Sequence, residues 1–421
     1  MSDAPHLNLA RSLAAFDESK RLIPGGTLGI RRPYNFVAGE YPIFFEHGQG
    51  GRVTDVDGHE YIDFLCAYGP IILGYREPEV DESVIRQIRD KGFCFSLTQT
   101  CQNRLAEKLG ALIPCAEMCV FVKTGSDATT LAVRLARGQT GRSKVLRCGY
   151  HGWHDWCVEV KGGIPKKLYE DVLEFRYNDL DALGALMNEH GSETAAIILT
   201  PFGHPLAARL EAPKPGFLAG VRELADRHGA ILIFDEVRTG FRLAMGGAQA
   251  YYGVTHDLAC FGKAMANGYA ISVVCGKKAV MQVAEKEVFV SSTFFPNSLG
   301  YVAALKTIEI LEREKVLESI WSKGKRFMAE LGRAVDGAGV GAELSGIAPM
   351  FFITFRKDPD KIYKQRRTEF YTQLIRRGVF MQPYHHGYLC YRHTDDDLAA
   401  AAAAVTEALA VVREKHGNWD A

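Results

Sequence analysis

The chain lacks several things at once, and each absence removes a class of function. Lys plus Arg number 50 and Asp plus Glu number 50, so the formal net charge is zero. There is no basic excess to meet a phosphate backbone, and no nucleic-acid partner is expected. No apolar run approaches the roughly 20 residues that span a bilayer, so no membrane partner is expected either. The start, Met1–Leu13, lacks the basic-then-apolar order of an export signal. The 10 cysteines contain no Cys-x-x-Cys pair, and Cys115 with Cys119 has no second pair to match it. No zinc or other metal site is therefore expected. Without an export signal, reduced thiols and a cytoplasmic location are expected.

What remains is ordinary globular material: 47% hydrophobic and 24% charged residues. A length of 421 residues is more than one core usually serves, so two lobes are expected. Leu9–Leu22 alternates apolar and charged residues at helical spacing and stops at Pro24-Gly25-Gly26. Arg52–Val56 and Glu60–Phe64 flank Asp57-Gly58, a tight-turn signal that predicts a β-hairpin. Short apolar runs then alternate with helical segments: Cys119–Val122, Lys144–Cys148, Ala195–Thr200, Ala230–Phe234 and Ile271–Cys275. That rhythm predicts an α/β fold with a mostly parallel central sheet. Near the end, Met350–Phe355 and Tyr388–Tyr391 read as strands with a helix around Phe370–Arg377 between them. Thr394 can cap a last helix, with Asp395, Asp396 and Asp397 facing its positive end. The expected division is a large domain at 66–315 and a smaller α+β domain built from 1–65 and 316–421.

The sharpest chemical signal lies between Ile231 and Lys263. Ile231-Leu232-Ile233-Phe234 is a buried-strand pattern ending in Asp235, and Gly262-Lys263-Ala264 follows later in a small-residue context. Sites in open α/β sheets lie beyond the carboxyl ends of strands. An Asp there can keep a pyridine nitrogen protonated, and a later Lys can hold pyridoxal phosphate as a Schiff base and shuttle protons. Read singly, Asp235 is a strand-end cap and Lys263 a solvated charge. Lys123-Thr124-Gly125-Ser126-Asp127 follows a strand and opens a helix, so its amides can hold an anion such as the cofactor phosphate. A plain capped helix is the alternative. Tyr150 in Gly149-Tyr150-His151-Gly152-Trp153 can stack on the pyridine ring, and His151 can adjust its electronics or fill space. Ser291–Asn297 is a hydroxyl-rich loop that can add a phosphate donor or serve as an ordinary connection.

These stretches together resemble the class III pyridoxal-phosphate-dependent aminotransferases of fold type I, in the branch near glutamate-1-semialdehyde aminomutase. The resemblance runs from Leu22-Ile23-Pro24-Gly25-Gly26 through Asp55-Val56-Asp57-Gly58 to His393-Thr394-Asp395-Asp396-Asp397. It is most specific in Asp235-Glu236-Val237-Arg238-Thr239-Gly240-Phe241-Arg242 followed by Gly262-Lys263. It implies pyridoxal 5'-phosphate as cofactor, Lys263 as the Schiff-base lysine and Asp235 as the pyridinium partner. Val237 and Tyr150 would flank the ring, with His151 beside it, and Thr124, Gly125 and Ser126 would hold the phosphate. It also implies a homodimer with shared active sites, Thr293 reaching the phosphate of the partner subunit. Around Thr293 this chain has Ser292 before and Pro296-Asn297-Ser298 after, where the family often has Gly and Gly-Asn-Pro.

Within the family, Gly125–Thr129, Gly149–Trp153, Gly246–Gln249 and Gly262–Tyr269 resemble the sugar-directed members of surface-polysaccharide and aminoglycoside pathways. The expected reaction moves an amino group from an amino-acid donor to a carbonyl of a sugar or aminocyclitol. Trp153, Trp156 and Tyr68 offer flat faces for a sugar ring, and His154, Asn267 and His385 can bond hydroxyls; core packing is the other use of these side chains. A donor carboxylate calls for an arginine clamp. Arg32 is in register with the substrate-carboxylate arginine of the aminomutase branch, and Arg31 and Arg242 compete with it. The alternative function is a pyridoxal-phosphate isomerase, either an aminomutase or an amino-sugar epimerase, which needs no amino donor at each turnover.

Overall fold

The computed structural model describes residues 3–203 and 209–419. They fall into two units: Pro78–Pro205 with Glu211–Leu317, and Met1–Glu77 with Leu206–Leu210 and Glu318–Ala421.

The larger unit is organised by apolar runs too continuous to have a wet face. Thr194–Leu199 is buried at every position, and Ile231–Asp235 at all but its first. Strands like these are covered on both sides and belong in the middle of a parallel sheet. Seven strands form that sheet: β1 Met118–Val122, β2 Lys144–Cys148, β3 Val172–Glu174, β4 Thr194–Leu199, β5 Ile231–Asp235, β6 Leu258–Phe261 and β7 Ser272–Gly276, in the order β1-β7-β6-β5-β4-β2-β3. All neighbours are parallel except β7, which runs antiparallel to both β1 and β6. Because β5 and β6 are parallel and adjacent, with Asp235 opposite Cys260, their carboxyl ends emerge on the same edge. That register brings the ends of two distant sequence stretches together, and it decides where the site forms.

Helix α1, Gly125–Thr140, packs Ala128, Leu131, Ala132, Leu135 and Ala136 onto the sheet at helical spacing. Gly141 ends it at φ 67°, a left-handed C-cap.

The smaller unit holds a helix at Ala10–Leu22 and the hairpin Arg52–Asp55 with Glu60–Asp63, turning through Asp57-Gly58. Phe45–Gln49 adds an antiparallel edge strand that the sequence pattern hides, since Phe45 is its one large apolar residue and four of its five residues are exposed. A second sheet pairs Ala342–Ile347, Met350–Phe355 and Gly387–Tyr388. The strand expected over Tyr388–Tyr391 stops at Tyr388. Beyond it the Cys390 amide donates to the His393 ring and the Tyr391 amide to Ile72 O, so the backbone leaves the ladder. Helices Ile362–Arg376 and Asp395–His416 lie in the same unit, the second opened by a reciprocal Thr394–Asp397 capping box.

Candidate active site

Asp235 is the last residue of β5 and is buried. One oxygen, Oδ1, accepts the Val237 amide at 3.1 Å. The other, Oδ2, lies 2.8 Å from His151 Nδ1, while His151 Nε2 lies 3.1 Å from Cys148 O. A carbonyl only accepts, so Nε2 carries a proton. With Asp235 ionised, the second hydrogen bond requires a proton on Nδ1 as well. His151 thus braces the carboxylate from a fully buried position against Trp156, whose ring is parallel to it at 6.5 Å.

Lys263 follows β6 by one residue beyond Gly262. Its φ of 44° lies in the left-handed region, where a non-glycine residue is strained by about 1 kcal/mol or more. Such strain is concentrated at functional sites. Desolvation first, then the nearby Arg238 and Arg242 guanidinium groups, pull the Lys263 ammonium down to about 7, with Asp235 opposing. A lysine brought into that range is a competent nucleophile near neutral pH. Arg238 and Arg242 are both buried. The sequence reading left Arg238 out of the site, although it stands in the same Asp235–Arg242 stretch. Glu236, also overlooked, is buried under the turn, with Thr239 Oγ1 and the Ala248 amide donating to it. Burial pushes its carboxyl up to about 7.

The start of α1 forms a cradle. Thr124 is its N-cap, but its amide and hydroxyl both donate to Asp127 Oδ2, and its Oγ1 accepts the Asp127 amide. Thr124 is therefore occupied by the capping box. The amides of Gly125 and Ser126 come first in the helix and have no intrahelical acceptor, the geometry that favours an anion. A Cβ on Gly125 would stand 2.9 Å from Val237 Cγ1, and one on Gly152 would stand 2.4 Å from Ser126 Oγ. Gly152 also has φ 121°, which side chains rarely tolerate. Trp153 N donates to Ser126 Oγ at 3.2 Å. Glycine thus keeps the cup open beneath Val237 and beside the 149–153 loop. A group with a phosphate at one end and a basic ring nitrogen at the other fits this set: N–H donors in the cup, Val237 in the middle, a carboxylate and a lysine beyond.

Tyr150 is 41% exposed and stands next to His151 in that loop. Thr293 is exposed in the loop before helix Leu299–Arg313. Trp153 is 69% exposed, whereas Trp156 is buried with its N–H on Thr130 Oγ1, which also meets His154 Nδ1 at 2.8 Å. Trp156 and His154 thus brace the loop and present no platform for a sugar. In the smaller unit, Tyr68 closes a run of left-handed residues, Cys66, Ala67 and Tyr68 at φ 47°, 54° and 69°. Its hydroxyl donates to Ile30 O. Arg32 bends back onto its own loop, Nε donating to Thr27 O at 3.3 Å, while the Arg31 guanidinium lies 5.2 Å from the Tyr68 ring centroid. Among the described residues one group of three metal-ligand side chains comes together: Cys66, Cys390 and His393. Both His393 nitrogens are engaged there, Nδ1 by the Cys390 amide and Nε2 by Asp63 O.

The family model for aminotransferase class-III matches residues 35–408. The chain is a class III aminotransferase. This aminotransferase is 62% identical over 411 residues to the 3-aminobutyryl-CoA aminotransferase of Cloacimonas acidaminovorans (strain Evry), covering 98% of this chain and 99% of that protein. It is 34% identical to the glutamate-1-semialdehyde 2,1-aminomutase 2 of an Exiguobacterium species, over 97% of this chain and 99% of that one. Among solved structures, the PLP-bound FumI protein of Sphingopyxis sp. MTA144 superposes with a TM-score of 0.92 at 32% identity, over 97% and 98% of the two chains. The enzyme accordingly uses pyridoxal 5'-phosphate, and its α/β fold is that of its family. No helix among the described residues is long and apolar enough to cross a membrane.

Proposed function

We propose that this aminotransferase interconverts a 3-aminoacyl thioester of coenzyme A and the corresponding 3-oxoacyl thioester, with an amino acid and its 2-oxo acid as the second pair. The near full-length 62% identity to a 3-aminobutyryl-CoA aminotransferase carries this reading. It favours this substrate over the sugar or aminocyclitol acceptor expected from short motifs. Those motifs surround the cofactor site and Trp156, and residues there report the shared chemistry more than the acceptor.

In this reading Lys263 holds the cofactor and moves the proton at the amino-bearing carbon, and Asp235, braced by His151, opposes the charge on the ring nitrogen. The amides of Gly125 and Ser126 meet the phosphate, with Thr124 fixing the helix start. Val237 and Tyr150 flank the ring. Pyridoxal phosphate, when bound, supplies an electrophilic carbon for the amino group and a sink for the electron pair left when the proton departs. A neutral Lys263 amine, favoured by burial and by Arg238 and Arg242, is ready to accept that proton. Trp153, exposed in the loop beside the cup, is a contact for the substrates in this reading.

The test is stoichiometric. Incubated with 3-aminobutyryl-CoA and 2-oxoglutarate, the purified enzyme is expected to form one glutamate for each 3-oxoacyl thioester. Conversion of the amino thioester into an isomer without any oxo-acid co-substrate would favour the isomerase alternative, to which the 34% identity to an aminomutase also points. A failure to turn over any 3-aminoacyl thioester would remove the substrate class.

We further propose that the enzyme is a homodimer whose partner covers the Thr293 loop. The exposure of Phe95, Leu97, Phe289 and Phe294 in the same unit supports a covered face there. Thr293→Ala and Lys263→Ala chains are each expected to be weak alone. Exchanged heterodimers should regain activity, because one site carries both lesions and the other neither. Heterodimers no better than their parents would place Thr293 within its own chain's site or outside it.

A further inference from the structure

The smaller unit carries a guanidinium group that, among the described residues, is held by aromatic rings rather than by acid. On helix Ile362–Arg376 and just beyond it, Arg376 is paired with Glu40 and Arg377 with Glu407. Arg366 is buried and donates to His416 O and Asn418 O. Arg367 differs. Its guanidinium carbon lies 4.2 Å from the Tyr384 ring centroid and 6.0 Å from that of Tyr363, and Nη2 donates to Tyr384 Oη at 3.1 Å. Lys364 is exposed three residues earlier, on the same face of the helix. The rings fix the plane of the guanidinium, and among the described residues no carboxylate is paired with it.

Tyr384 links this cation to Tyr68. His385, the next residue, meets the Tyr68 ring edge-on at 5.2 Å. Gln382 Nε2 donates to Ile30 O, the carbonyl that also accepts the Tyr68 hydroxyl. The Arg31 guanidinium lies against the Tyr68 ring. Contacts thus run from Arg31 through Tyr68 to His385, and from Tyr384 to Arg367, with Tyr384 and His385 joined along the chain. The Tyr68 end is held by the strained left-handed run at Cys66–Tyr68.

We propose that Arg367, Tyr384 and Lys364 form a subsite for the phosphorylated adenosine end of the coenzyme A thioester; this rests on the acyl-thioester reading above. Coenzyme A separates its acyl group from a pyrophosphate, a ribose phosphate and an adenine by a long neutral arm. An enzyme that reads both ends needs a second site away from the reacting carbon. A planar guanidinium fork suits phosphate oxygens in pairs, and one already held by a ring loses less freedom on binding. The adjacent tyrosines offer faces to adenine, and Lys364 adds a second charge.

The experiment uses the holoenzyme and two thioesters, 3-aminobutyryl-CoA and 3-aminobutyryl-N-acetylcysteamine, which lacks the nucleotide. The native enzyme is expected to prefer the coenzyme A ester in kcat/KM. Arg367→Met should shrink that preference tenfold or more, through KM, and Arg367→Lys should restore part of it. Calorimetric binding of 3′,5′-ADP should weaken in parallel. An unchanged preference in Arg367→Met with intact 3′,5′-ADP binding would overturn the subsite and leave the thioester reading standing. Turnover of neither thioester would overturn the reading, and the subsite with it. Should Arg367→Met fail to fold by its melting profile, Lys364→Ala, altered at an exposed position, serves the same comparison.

Discussion

Lys263→Ala is expected to abolish covalent capture of the cofactor and to cost the largest share of activity of any single change. In the native enzyme, borohydride should fix pyridoxal phosphate to the peptide containing Gly262-Lys263-Ala264. In the variant, cofactor is expected to bind without being fixed, and the visible band of the bound form should be lost or displaced. A positioned proton-transfer group contributes about 10²–10⁴-fold to a reaction, and loss of the covalent anchor adds to that. The expectation rests on position: Lys263 emerges beside Asp235 because β5 and β6 are parallel neighbours. Its left-handed φ and depressed ammonium are the local signs of a residue held for chemistry. Peptide mapping that finds the reduced cofactor on another lysine would reject the assignment, as would a Lys263→Ala enzyme within tenfold of native turnover.

Asp235→Asn isolates a charge while preserving the contacts around it. The asparagine oxygen can still accept the Val237 amide, and its NH2 can donate to His151 Nδ1 while Nε2 continues to donate to Cys148 O. The hydrogen-bond count is thus kept, with a neutral imidazole in place of the charged arrangement. Folding and partial cofactor occupancy are expected to survive. Turnover is not, because the neutral amide no longer opposes the charge on the ring nitrogen. A single preorganised electrostatic partner is worth on the order of 10²–10³ in kcat, and a loss of that size at near-native melting temperature is expected. Near-native kcat at full cofactor occupancy would exclude Asp235 from the role.

The two residues under test were legible in the sequence for a simple reason. Fully buried parallel strands need unbroken apolar runs, so Ile231–Phe234 declares both a strand and its end, and Asp235 stands at that end. Short apolar runs also marked β1, β2, β4 and β7 to within about a residue at each end, the ordinary scatter of such boundaries, although β1 and β7 pair antiparallel. The apolar pattern did not expose Phe45–Gln49, because an edge strand exposed along nearly its whole length has no periodic apolar signature. Nor did it anticipate the early end of the Gly387–Tyr388 strand. There a histidine ring several residues on competes for the backbone amide that the ladder would use.

Site chemistry divides in the same way. Local order in the sequence determined the elements that need only neighbours: the Thr124–Asp127 capping box that opens α1, the glycine at its end, and the Asp57-Gly58 turn. Contacts made across the sheet were decided by tertiary structure alone. His151 reaches Asp235, Gly152 meets Ser126, and Gly125 faces Val237 only once β1, β2 and β5 are set in their spatial order. The same holds for Trp156, whose flat ring reads from sequence as a sugar platform and is in fact turned inward onto Thr130. Sequence carries propensity and periodicity, which act over a few residues. Which side chains share a hydrogen bond across long separations depends on strand order and register, and those are set by the packing of the whole sheet.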